Sequence, residues 1–127
     1  MILDTDILVW VLRNHAPALR FVESIPLARR NLSSITYLEL LYGSQDARDL
    51  RGVKELVEDV FAEVVPLSEA ITRTAIRLME EFVLAYRIGL EDALIAATAL
   101  ERQDSLATGN DKHFRMIPGL ELKVFRP

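Results

Sequence analysis

The side chains with chemical reach in this sequence are carboxylates, and four of them stand where a solvated surface acid explains little. Asp4 closes the apolar opening Ile2-Leu3, and Asp111 follows the apolar stretch ending at Thr108. Glu39 lies inside Ile35-Thr36-Tyr37-Leu38-Glu39-Leu40-Leu41-Tyr42, among bulky neighbours. Asp92 shares a helical face with Ile95, Ala96 and Ala99, which that face should bury. A lone buried carboxylate is costly to desolvate unless it is paired or metal-bound. Each acid also has a local reading. Asp4 can cap the following helix, Glu39 can sit at a solvent rim, Asp92 can serve a helix's first turn, and Asp111 is an ordinary turn residue. Taken separately, those readings leave four acids near one end of a sheet as coincidence.

Such a cluster has a restricted chemistry. Hard oxygen donors, with no cysteine in the chain and only His15 and His113 as histidines, suit Mg²⁺ or Mn²⁺ better than zinc. One or two such ions activate water and stabilise the leaving oxygen at a phosphodiester. His113 lies close to Asp111 and within reach of a phosphate, but a surface loop is the more ordinary place for it. Neither histidine is assigned as a general base.

The elements that must position these acids alternate along the chain. Ile2-Leu3, Leu32–Ile35, Glu63–Leu67, Ser105–Thr108 and Glu121–Phe125 are predicted strands. Between them the spacing predicts helices: from Ile7 to Leu12 with Thr5 or Asp6 as cap, Ala18–Ala28 after a break at Pro17, and one from Thr36 to about Gly43. Further on come Arg48–Phe61, with Leu50, Val53, Val57 and Val60 on one side, then a long helix from Ser68 to about Arg87, and one from Glu91 or Asp92. This alternation predicts an α/β three-layer sandwich with a mainly parallel central sheet. In such a sheet, sites form outside the carboxyl ends of the strands.

Composition bounds the rest. With 127 residues, half of them apolar, residues 1–127 are expected to form a single domain with a core that needs no disulfide. Fifteen basic and nineteen acidic residues give a net charge of −4, unlike a non-specific DNA coat protein. Asp4 and Asp6 interrupt any secretory start, and charges run through the helices, so a cytoplasmic protein with no membrane span is expected.

Three blocks carry a resemblance: Asp4-Thr5-Asp6-Ile7-Leu8, then Ser33 to Gly43, then Asp92 to Ala99. Together with Thr108-Gly109-Asn110-Asp111-Lys112-His113-Phe114 and Ile117-Pro118-Gly119-Leu120, they resemble PIN-domain ribonucleases across essentially the whole chain. The match is nearest to the VapC-type toxins of bacterial and archaeal toxin–antitoxin pairs. The resemblance implies the strand order 3-2-1-4-5 and a Mg²⁺ or Mn²⁺ pocket of Asp4, Glu39 and Asp92 with a fourth polar group. That group is read as Asp111, with Asn110 beside it because the family often has aspartate at position 110. Asp6, Thr108 and Asn110 are implied supports for a ligand or its water. The resemblance further implies an RNA substrate, a small antitoxin partner and a homodimer, for which Val11, Leu12, Leu38 and Leu41 offer apolar surface.

The basic residues Lys112, Arg115, Lys123 and Arg126 can meet an RNA backbone or form an ordinary solvated charge run. Tyr37 and Tyr42 fit core or dimer packing better than base stacking. Two other functions compete: Asp4-Thr5-Asp6 also resembles the aspartate pair of haloacid-dehalogenase-like phosphatases, and a non-catalytic partner-binding domain could keep the same fold.

Overall fold

Five short strands make one parallel sheet: β1 (Ile2–Leu3), β2 (Asn31–Ser33), β3 (Glu63–Val65), β4 (Leu106–Thr108) and β5 (Leu122–Val124). Their order is β3-β2-β1-β4-β5, as expected. The structure is a computed structural model that describes residues 1–127. Helices α1 (Thr5–Leu12), α2 (Ala16–Glu23), α3 (Ser34–Tyr42), α4 (Ala47–Val60), α5 (Glu69–Tyr86) and α6 (Leu90–Glu101) connect the strands, with 3₁₀ turns at Leu27–Arg29 and Asp111–His113.

Strand alternation divides the core into the two halves of a sandwich. Ile2 and Leu106 join Ile71, Leu78, Phe82 and the alanines of α6 on one side. Their chain neighbours Leu3 and Ala107 join Ile7, Val22, Leu40, Val57 and Phe125 on the other. This is the period-2 geometry of a strand buried on both faces. Helix α6 approaches the sheet closely because Ala93, Ala96, Ala97 and Ala99 are all fully buried.

Several local expectations shift, each for a physical reason. Helix α1 starts at Thr5, because Asp4 rather than Thr5 or Asp6 is its N-cap. Ser33 caps α3 through its side chain, so Ile35 is helical rather than the end of a strand. Pro17 stands in the first turn of α2 instead of breaking the chain there, where its missing N–H goes unneeded. Leu56 replaces Leu50 on the buried face of α4; Leu50 is exposed. Ser68 caps α5 as predicted, and Arg87 ends that helix in the left-handed conformation.

The close packing of α6 generates the first prediction. Ala96→Leu adds volume where there is no room and should destabilise the protein by about 1–3 kcal/mol in urea unfolding, whereas a substitution at exposed Leu84 should leave the midpoint almost unchanged.

Candidate active site

Parallel register brings the first acid to its partner. Leu3 pairs with Ala107, and the Asp4 N–H donates to the Ala107 carbonyl at 2.9 Å. Asp4 therefore faces Thr108 at the carboxyl edge of the sheet. Its Oδ1 accepts from the Thr5 N–H at 2.8 Å, and its Oδ2 accepts from Thr108 Oγ1 at 2.7 Å. Asp4 is thus a helix cap and a buried acid at once, only 4% exposed.

Asp6, two residues into α1, reaches the loop after β4. Its Oδ2 accepts from the Gly109 N–H at 2.9 Å and from Asn110 Nδ2 at 3.2 Å. A Cβ on Gly109 would stand 2.6 Å from that oxygen, so the approach requires glycine. The Asn110 N–H donates back to Thr108 Oγ1 at 2.9 Å. From α3, Glu39 Oε1 lies 3.0 Å from Thr5 Oγ1, which is also 3.0 Å from Thr36 Oγ1. Thr5 carries a single proton, so Thr36 donates to Thr5 while Thr5 donates to Glu39. From the first turn of α6, Asp92 presents Oδ2 to His113 Nδ1 at 3.0 Å.

Asp4, Asp6, Glu39 and Asp92 border one pocket of about 300 Å³, with Thr5, Glu91, Asn110 and His113 also on its walls. Asp111 does not. Its carboxylate turns to Arg126 Nη1 at 3.1 Å and Arg115 Nε at 3.7 Å, so the structure does not bring it together with the other three acids expected at the site. The 3₁₀ turn starting at Asp111 carries its side chain toward the C-terminal cations, while Asn110 and Asp6 face the pocket. The same pairing occupies two of the basic residues read as RNA contacts. Residues the sequence left out of the pocket are Thr5, Glu91 and His113. For Thr5 and Glu91 the available signal was adjacency to a singled-out acid; His113 had only its closeness to Asp111, and its contact with Asp92 comes from the fold.

The pocket holds negative charge without enough compensation. Burial pushes Asp4 up to about 7, with the Asp6 charge adding to the shift and the Thr108 bond opposing it. Burial also raises Asp6, against the Gly109 N–H. It raises Glu39 against the Thr5 hydroxyl, and Asp92 against His113. Asp6 Oδ1 is buried with no hydrogen-bond partner. As they stand, no three Asp, Glu or His side chains are close enough to chelate one ion. What fits a hard divalent cation is the donor type, all oxygen, and the unbalanced charge.

The family model for the PIN domain matches residues 1–120. The chain belongs to the PIN-domain family. It is 35% identical over 126 residues to "Ribonuclease VapC10" of Mycobacterium tuberculosis, covering 95% of this chain and 90% of that protein. Among solved structures, VapBC2 from Rickettsia felis, bound to a DNA fragment from its promoter, superposes with a TM-score of 0.82 at 27% identity over 98% of both chains. A toxin–antitoxin complex from Klebsiella pneumoniae gives a TM-score of 0.78 at 28% identity, over 94% of this chain and 93% of that one.

The raised carboxyls make stability depend on pH. The folded protein holds a proton on Asp4 up to about pH 7, whereas the unfolded chain releases it near 3.8. That contribution to folding is complete below 3.8 and is lost as pH rises through 7. Metal-free protein should therefore melt at a lower temperature at pH 8 than at pH 5. Asp4→Asn should flatten that difference in calorimetric melts.

Proposed function

We propose that residues 1–127 form one nuclease domain that hydrolyses RNA phosphodiester bonds internally with Mg²⁺ or Mn²⁺. In this reading it is the toxin of a toxin–antitoxin pair, inhibited by a small antitoxin protein. The observation that carries the proposal is the meeting of Asp4, Asp6, Glu39 and Asp92 around one pocket at the carboxyl edge of the sheet, in a chain 35% identical to a ribonuclease.

Asp4, Glu39 and Asp92 are the proposed ligand-bearing groups, with Asp6 taking the place first given to Asp111. A divalent ion held there would supply water activation and charge stabilisation at the phosphodiester. Thr108 and the Thr5 N–H fix the Asp4 carboxylate. Thr5 aims Glu39, and Asn110 steadies Asp6 without adding charge. The phosphatase alternative for Asp4-Thr5-Asp6 needs a lysine, and none lines the pocket.

Partner surfaces are consistent with the same proposal. Val11 is buried and offers no interface, while Leu41 is partly buried against the core. Leu12, Leu38 and Tyr42 are exposed, Tyr42 to 92%, and we place the homodimer contact there. No helix is long and apolar enough to cross a membrane, and the cytoplasm is the proposed compartment.

Purified protein should cleave a structured RNA in Mn²⁺ and stop in EDTA. Asp4→Asn should lower the rate by about 100-fold or more, since losing the charge of a proposed ligand should cost at least the upper end of the loss seen when a partner behind a ligand is removed, while circular dichroism stays unchanged. Equal cleavage by both proteins, or full activity in EDTA, would overturn the proposal. In sedimentation at micromolar concentration the wild type should run as a dimer and Leu38→Glu as a monomer; a monomeric wild type would remove the dimer.

A further inference from the structure

His113 is a side chain on the pocket wall to which the proposed chemistry gives no task. Its Nδ1 lies 3.0 Å from Asp92 Oδ2, with the imidazole 56% exposed and the carboxylate 24% exposed. A polar contact this open adds little to folding, so stability does not explain it.

The backbone around the imidazole is nonetheless tightly held. Phe114, the next residue, is only 1% exposed and anchors the segment in the core. The His113 N–H donates to the Asn110 carbonyl at 3.0 Å, and the Phe114 N–H donates to the Asp111 carbonyl at 3.0 Å. On the other side, Gly109 and Asn110 are bonded to Asp6. The loop that carries His113 is therefore fixed to the pocket at one end and to the core at the other. It delivers the imidazole to one oxygen of Asp92.

We propose that His113 is a positioning residue for Asp92: Nδ1–H holds Oδ2, which fixes the carboxylate plane and leaves Oδ1 to serve as a cation ligand. Partners behind a metal's ligands orient those ligands and raise affinity in this way. The inference rests on the metal-dependent reading above and concerns one residue within it.

The test compares Mn²⁺ binding by calorimetry at one fixed pH for wild type, His113→Ala, His113→Asn and His113→Gln, with a melt of each protein. The asparagine amide reaches about as far as Nδ1, and the glutamine amide reaches about as far as Nε2. His113→Ala should bind Mn²⁺ about 10–100-fold more weakly at an unchanged melting temperature. His113→Asn should return to within about threefold of wild type, and His113→Gln should not. In RNA cleavage, the alanine variant should lose kcat with KM little changed. Unaltered Mn²⁺ affinity in His113→Ala overturns the proposal, and so does rescue by glutamine rather than asparagine. If His113→Ala fails to fold, the asparagine–glutamine comparison decides by the same criterion. A wild type that neither binds Mn²⁺ nor cleaves RNA overturns the metal-dependent function itself, and a functional wild type beside an unaffected His113→Ala overturns only the role of His113.

Discussion

The paired hydrogen bonds on the Asp4 carboxylate are the constraint around which the carboxyl edge of the sheet is arranged. A carboxylate that is 4% exposed needs partners for its oxygens, and it takes one from the start of α1 and one from the end of β4. The first bond sets where the helix begins. The second ties two strands that are adjacent in the sheet but more than a hundred residues apart in the chain. Once α1 starts at Thr5, Asp6 comes to face the loop after β4. Thr5 then stands between Asp4 and the Glu39 side chain. Gly109 follows from the same geometry, since any side chain there would collide with Asp6 and crowd the Phe125 carbonyl, 3.3 Å from the position of a Cβ.

This arrangement gathers like charge in a half-closed pocket. Hydroxyls and backbone N–H groups satisfy individual oxygens, yet burial still raises Asp4, Asp6, Glu39 and Asp92 from their ordinary values. Two nearby cations are paired outside the pocket: Arg115 and Arg126 converge on Asp111. Arg126 also reaches toward the Gly109 carbonyl at 3.5 Å. The two halves of the core, one on each face of the sheet, hold together a site that repels itself when empty of cation. Stability is given up locally where charge is concentrated for use.

The sequence by itself determined the alternation of strands and helices, the parallel sheet and the three blocks that hold Asp4, Glu39 and Asp92. Those signals are local: apolar runs cut by Pro and Gly, caps such as Ser68, and acids in apolar surroundings. The order of the strands came from family resemblance, because periodicity carries no information on which strand lies beside which. Tertiary structure alone decided which of two neighbouring residues faces the pocket. Asn110 and Asp111 are neighbours in a turn, and only the 3₁₀ geometry sends one toward Asp6 and the other toward Arg126. The contact of His113 with Asp92 was invisible for the same reason. It joins a loop and a helix start that come together only when β4 lies beside β1, and a histidine in a polar turn carries no local sign of that neighbour. Sequence specifies which side chains are available and which backbone they ride on, but the facing of two side chains depends on the register and loop path that packing selects.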